Sequence, residues 1–178
     1  NTYLDAYNNI PLVGHCHPSI TRAISKQIRE LNTNTRYYYD ALGNYAEKLL
    51  GYFPEKLNKI FFVNSGSAAS DLAVRLAKNF TGRKHLLVLE HGYHGNTQIG
   101  IEISAYKFDG KGGSGSPQNT IKLPLPKTYK SIFSSGTEYA NDAIEKIEKL
   151  IAEDIHPAAF IAETVSGCGG QVPLADDY

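Results

Sequence analysis

Ile60-Phe61-Phe62-Val63-Asn64-Ser65-Gly66-Ser67-Ala68 joins a short apolar run to the start of a helical pattern. The run, Ile60–Val63, predicts a buried strand. The pattern after it predicts a helix over Ala68–Phe80 with Ala69, Leu72, Ala73, Leu76 and Phe80 on one face. A tight strand-to-helix turn leaves the first amide N–H groups of the helix without intrahelical partners, at the positive end of its dipole. Gly66 admits close backbone approach, and Ser65 and Ser67 add hydroxyl donors, so the turn suits a phosphate. It contains no Lys, which excludes the G-x-x-x-x-G-K-[ST] nucleotide loop, and it does not fit G-x-G-x-x-G. The readings left are a single phosphate handle on a small cofactor, or an ordinary turn with a serine cap.

Outward from this turn, strands and helices alternate. Thr2–Tyr7 reads as a short strand. Pro18 opens a helix with Ile20, Ala23, Ile24, Ile28 and Leu31 on one face, ended by Asn32-Thr33-Asn34-Thr35. A second helix runs from Asp40 to Leu50, with Leu42, Tyr45, Ala46, Leu49 and Leu50 inward, and stops at Gly51 and Pro54. His85–Leu89 is a buried strand and Thr97–Ser104 a helix. Lys107–Lys130 is a long loop around a short strand, Ile121–Leu123. Tyr139–Asp154 is a helix with Ala140, Ala143, Ile144, Ile147, Leu150 and Ile151 inward. Ala158–Ala162 is a last strand, ending at Glu163. Continuous apolar strands alternating with amphipathic helices predict an α/β fold, a mostly parallel sheet with helices on both faces. Ligands in such sheets sit at the carboxyl ends of strands. Three loops rich in Gly and polar groups leave predicted strand ends there: Asn64–Ser67, Glu90–Gly95 and Glu163–Gly170.

Composition narrows the partners. The 178 residues fit one domain with a full core. Lys and Arg total 18, as do Asp and Glu, and this zero net charge argues against nucleic acid or an anionic membrane as the main partner. No apolar run approaches the length of a bilayer span. Cys16 and Cys168 cannot make a disulfide framework, which points to a reducing cytoplasmic setting. The absence of Met, with a strand-like opening and no tail, reads as an internal fragment of a longer protein.

Asn64-Ser65-Gly66-Ser67-Ala68-Ala69-Ser70-Asp71 resembles the helix-start motif of class III aminotransferases, fold-type I enzymes that use pyridoxal 5'-phosphate. Gly14-His15-Cys16-His17-Pro18 and Leu31-Asn32-Thr33-Asn34-Thr35-Arg36-Tyr37 resemble the segments preceding it. His91-Gly92-Tyr93-His94-Gly95 resembles the family's aromatic-His-Gly loop, and Glu163-Thr164-Val165-Ser166-Gly167-Cys168-Gly169-Gly170 its later Glu-containing loop. The ordered set runs the length of the chain. Cys168-Gly169-Gly170-Gln171 and Ile103-Ser104-Ala105-Tyr106-Lys107-Phe108 look nearest to the branch of ethanolamine-phosphate and phosphohydroxylysine phospho-lyases. On this resemblance, residues 1–36 lead into the large domain, and residues 37–178 are the N-terminal half of that domain.

The resemblance implies roles. Ser65, Gly66 and Ser67 bind the cofactor phosphate, mainly through backbone N–H. Tyr93 stacks on the pyridine ring, His94 shapes the loop, and Glu163 lies near the ring and its polar partners. Read from the residues alone, Glu163 is equally a solvated strand-terminal carboxylate. Arg36 follows a segment the family places at the active site, where a guanidinium could pair with a substrate carboxylate or phosphate; a surface ion pair is the competing reading. The Lys that forms the Schiff base and the Asp that pairs with the pyridinium nitrogen lie downstream of Tyr178 in the family, so no catalytic residue is assigned here. The complete protein is expected to act on an amine or amino-acid substrate through an external aldimine, by transamination or by elimination of phosphate. It is expected to be a homodimer.

The sequence departs from the pattern in three places. Ala68 stands where the family usually has Glu, and Ser70 where it has Asn. Cys168 stands where many aminotransferases carry a second Glu that handles a switching Arg. A thiol cannot make that ion pair, which favours the lyase branch. A metal site built from His15, Cys16, His17, His91 and His94 is a weaker reading, since adjacent residues point apart and no C-x-x-C pair exists. A catalytically dead relative, or an assembly module, is the non-enzymatic alternative.

Overall fold

The computed structural model describes residues 2–5, 10–33 and 36–178. The chain divides into two compact units, Asn1–Ile60 and Phe61–Tyr178. The first unit holds two helices, α1 (Pro18–Glu30) and α2 (Asp40–Leu50). Pro18 sits in the first turn of α1, where its missing N–H costs nothing. The stripes read as inward on these helices are only partly covered: Ile20 is exposed by 47%, Ile24 by 54% and Tyr45 by 56%, whereas Leu31, Ala46, Leu49 and Leu50 are half-buried. Apolar spacing identifies the face that wants cover. It does not supply a neighbour, and among the described residues neither stripe is fully buried.

The second unit carries the sheet. In chain order it contains α3 (Gly66–Thr81), β1 (His85–Leu89), α4 (Gln98–Glu102), α5 (Ala105–Phe108), β2 (Thr120–Leu123), α6 (Gly136–Ala152), β3 (Pro157–Ile161), β4 (Val165–Ser166) and β5 (Val172–Pro173). The three longer strands form a parallel sheet of order β2-β1-β3. β4 and β5 form a small antiparallel ribbon.

β1 is apolar throughout Leu86–Leu89 because it is covered on both faces. Side chains alternate along a strand. Leu86 and Val88 join Val74, Ile103, Ala105 and Phe108 in one cluster, which packs α3, α4 and α5 on one side. Leu87 and Leu89 join Leu123, Leu125 and Ala143 in the other, beneath α6. The α/β architecture read from the sequence, with helices on both faces of a parallel sheet, is therefore the architecture found.

Local readings differ in five places. Ile60–Val63 is not a strand. Phe61 is 65% exposed, and no strand pairs with this run among the described residues; an apolar run becomes a strand only where a neighbour completes its ladder. Thr2–Asp5 carries no strand either, and Tyr7 lies outside the described residues. On α3 the sheet-facing residue is Val74, whereas Leu76 and Phe80 point outward; on α6 the buried residues are Gly136, Tyr139 and Ala143, whereas Ile144 and Ile151 are exposed. Both helices have apolar residues on more than one side, and pattern alone cannot choose between them. The helix read over Thr97–Ser104 breaks into α4 and α5, because the Ser104 hydroxyl bonds back to the Gly100 carbonyl (2.5 Å) instead of leaving the turn to continue.

Leu89 is the last residue of β1 and is 2% exposed. Leu89→Ala should destabilise the full-length protein by about 2–5 kcal/mol in chemical denaturation; a loss below about 1 kcal/mol would contradict the two-sided core.

Candidate functional site

The sheet order places a crevice at the carboxyl end of β1. The chain leaves β1 for β2 on one side and later returns to β3 on the other, and connections that depart in opposite directions leave an open crevice between them. The loop from Glu90 to Thr97 starts there.

The helix start comes first. Ser65 is the N-cap of α3, and its Oγ accepts from the Ala68 N–H (3.1 Å). The Ser65 carbonyl accepts from the Ala69 N–H (3.0 Å). The amides of Gly66 and Ser67 have no hydrogen-bond partner among the described residues. They are the orphan donors of this helix. A Cβ built on Gly66 would meet nothing within 4 Å, so the space outside it is open.

The loop after β1 is fastened to this start. The Asn96 N–H donates to Ser67 Oγ (3.0 Å). Gly95, at φ +128°, packs so close that a Cβ there would sit 2.8 Å from Ser67 Oγ. Both the φ and the contact require glycine. Since Ser67 Oγ accepts from Asn96, its own proton remains free to donate outward. Ser65, Gly66, Ser67, Ser70, Tyr93, His94 and Gly95 together line one cleft of about 390 Å³.

Tyr93 is half-buried. Its ring meets Tyr106 edge-on at 6.2 Å, and Lys107 Nζ lies over it, 5.6 Å from the centroid. His94 is buried, with its backbone N–H donating to Ser104 Oγ (2.8 Å). Its Nε2 has no partner among the described residues, and it packs against Gly92, where a Cβ would lie 3.1 Å away. Burial holds the His94 pKa below the ordinary 6.5, partly offset by the charge of Glu163. The imidazole is neutral at pH 7.

Glu163 ties the third loop in. Its Oε1 accepts from the Tyr93 N–H (2.9 Å) and its Oε2 from the Gly167 N–H (3.1 Å). It thus joins the loops that leave β1 and β3, and it stands outside the cleft lining. A Cβ on Gly169 would meet the His91 Cβ at 2.9 Å, so these two loops press together. Ser65, Gly66, Ser67, Tyr93 and His94 are brought together, with Glu163 reaching them through the Tyr93 amide. Arg36 is exposed and belongs to the other unit.

Sequence reasoning passed over Asp71, Asn96, Thr97 and Ser104. Thr97 Oγ1 donates to Asp71 Oδ1 (2.6 Å) and accepts from the Gly100 N–H (3.0 Å), capping α4. The signal was present: Ser67, Ser70 and Asp71 form a polar stripe at helical spacing, and Thr97 stands three residues before Gly100, the spacing of a cap.

The family model described as aminotransferase class-III matches residues 1–178. The alanine–glyoxylate aminotransferase 2-like protein of Drosophila melanogaster is 43% identical over 178 residues, covering 96% of this chain and 36% of that protein. The ethanolamine-phosphate phospho-lyase homolog 1 of Caenorhabditis elegans is 34% identical, covering 100% of this chain and 41% of that protein. A solved phospholyase from Arthrobacter in complex with phosphoethanolamine superimposes with a TM-score of 0.83 at 31% identity, over 99% of this chain and 42% of that one. The chain thus spans about two-fifths of the length of the relatives it matches. By its sequence from end to end, this chain belongs to the class III aminotransferase family.

Proposed function

We propose that the Ser65–Ser67 helix start and Tyr93 hold pyridoxal 5'-phosphate in an enzyme acting on a small amine or amino acid. Residues 37–178 would form the N-terminal half of its cofactor-binding domain, with 1–36 leading into it. The observation that carries this reading is the pair of unpartnered amides, Gly66 and Ser67, sharing one cleft with an aromatic ring. The donor set fits a phosphoester: two amides, one free hydroxyl proton and the helix dipole, with an open position outside Gly66.

Pyridoxal phosphate supplies an aldehyde that joins the amine and a ring that draws electrons from the bond being broken. The chain's own residues bind and orient. Gly66 and Ser67 grip the phosphate end. Lys107 covers one face of Tyr93, and we assign the opposite face to the cofactor ring. Neutral His94, held by Ser104, fixes the turn that carries Tyr93 and moves no proton. Glu163 keeps that turn seated by accepting from the Tyr93 N–H, and Arg36 is assigned to a substrate carboxylate or phosphate. We place the protein in the cytoplasm as a homodimer; its two free cysteines suit a reducing compartment. Among the described residues no helix is long and apolar enough to cross a membrane.

One observation favours elimination over transamination. The loop after Glu163 presents an exposed thiol at Cys168, which cannot engage a switching guanidinium as a carboxylate would. Full-length protein given phosphoethanolamine should release phosphate and ammonia; formation of an amino-acid product from an amine donor would assign transamination instead.

Cofactor affinity tests the cradle. Ser67→Ala should weaken pyridoxal phosphate binding about tenfold, since it removes a hydrogen bond to a charged group. Tyr93→Ala should weaken it about threefold to tenfold through loss of ring stacking. Wild-type affinity in both variants, read from the visible absorbance of bound cofactor, would remove these residues from the site. Arg36→Ala should raise KM for substrate with kcat little changed, and an unaltered KM would exclude it. Acid stability tests His94. An unfolded His takes its proton near pH 6.5, whereas folded His94 takes it lower. The unfolded state therefore binds more protons between those values, so stability is full above pH 6.5 and falls as pH drops through that window. Denaturation midpoints of wild type and His94→Asn should diverge accordingly; parallel pH profiles would refute a buried neutral imidazole.

A further inference from the structure

We infer that Asp71 and Thr97 are positioning residues that fix Tyr93 relative to the phosphate-binding amides. The inference rests on the cofactor reading above and extends it to residues outside the cleft lining.

Two consecutive loop residues are each tied to α3. Asn96 donates its backbone N–H to Ser67 Oγ, and Thr97 donates its hydroxyl to Asp71 Oδ1. Ser67 and Asp71 stand four residues apart, one turn along the same helix face. Glu163 and Ser104 hold the turn at Tyr93 and His94, and with the Asn96 bond alone the loop would meet α3 at Ser67 only. A second attachment one turn along the helix fixes the angle of the loop to α3. Tyr93 lies three residues before the first attachment, so that angle sets the distance of the ring from the phosphate-binding amides.

The chemistry of the second tie is fully committed. The Thr97 hydroxyl has one proton, given to a carboxylate at 2.6 Å, and its oxygen accepts from the Gly100 N–H at 3.0 Å. A charge-assisted bond of this kind is among the stronger ones available to a side chain. Asp71 sits well inside α3, beyond the first turn whose amides need caps. Its observed bond is to the loop, not to its own helix. The tie therefore serves the junction of loop and helix.

The test separates a tie from a charge and from general stability. In full-length protein, Asp71→Ala leaves the α4 cap in place and should weaken pyridoxal phosphate binding about tenfold. It should also change the induced circular dichroism of bound cofactor, which reports ring orientation. Asp71→Asn keeps an acceptor oxygen for Thr97 and should bind within about threefold of wild type. Thr97→Ser should behave as wild type. Thr97→Val removes the bond to Asp71 and the α4 cap together, so it should bind at least as weakly as Asp71→Ala, and the double variant should be no worse than Thr97→Val, because the bond to Asp71 is already gone. Should Asp71→Ala not fold, Thr97→Asp, which keeps an acceptor for the Gly100 N–H but has no proton to give Asp71, compared with Thr97→Ser decides the same point. Wild-type affinity and dichroism in Asp71→Ala, or Asp71→Asn as weak as Asp71→Ala, would overturn the inference. A wild-type protein that binds no pyridoxal phosphate would overturn the underlying reading instead.

Discussion

Strand β1 has no solvent face, and the rest of the second unit depends on that constraint. Leu86 and Val88 serve the core under α3, α4 and α5, while Leu87 and Leu89 serve the core under α6. A register slip of one residue would exchange the two sets and unpack both layers at once. The carboxyl end of β1 is therefore a well-fixed point from which to launch a loop. It is also the point where the connections part to opposite sides. The loop bearing Tyr93 and His94 thus inherits its position from an element that two cores hold in place.

From that anchor the polar bonding runs outward with a consistent direction. Glu163 accepts two backbone N–H groups, from the loops after β1 and β3. Ser104 accepts from His94 and donates to Gly100; Thr97 accepts from Gly100 and donates to Asp71; Ser67 accepts from Asn96. Each hydroxyl of the 97–104 segment is spent in both of its capacities. At the α3 start the cleft keeps the outward proton of Ser67 and the two amides of Gly66 and Ser67. All three are donors. A helix start that offers three donors and its dipole favours an acceptor-rich, negatively charged group, and a phosphate meets that requirement better than a neutral ligand.

Much of this was legible in the sequence, for definable reasons. The apolar run Leu86–Leu89 reads as a strand covered on both faces, and two of the three loops, Glu90–Gly95 and Glu163–Gly170, follow from the rule that parallel sheets bind at their carboxyl ends, whereas Asn64–Ser67 leaves no strand. Ser65 as a cap and Gly66-Ser67 as free amides follow from local geometry alone. Long-range choices were not legible. Nothing local says that α3 turns Val74 rather than Leu76 toward the sheet, since both stripes are apolar. Nothing local says that Ile60–Val63 lacks a strand partner, because a ladder belongs to two segments. The bond from Thr97 to Asp71 spans 26 residues of chain, and only the folded loop brings those two side chains together. Glu163 read equally well as a solvated carboxylate until its two amide partners were seen.

Ala68, where the family resemblance leads to the expectation of an acidic residue, bears on how the α3 start would meet a negative charge. α3 has no acidic residue in its first turn, and Ser65 caps the Ala68 amide. The departure therefore leaves the free donors of Gly66 and Ser67 untouched. It forgoes a favourable side-chain interaction with the dipole of about 0.3–1 kcal/mol when no anion is present. With a phosphate in place the sign reverses, since a carboxylate beside it would repel it through the same short distance. Asp71 keeps its charge further along the helix, where the Thr97 hydroxyl engages it. The arrangement gives up a little stability in the empty helix start and leaves its positive end undiluted for the ligand.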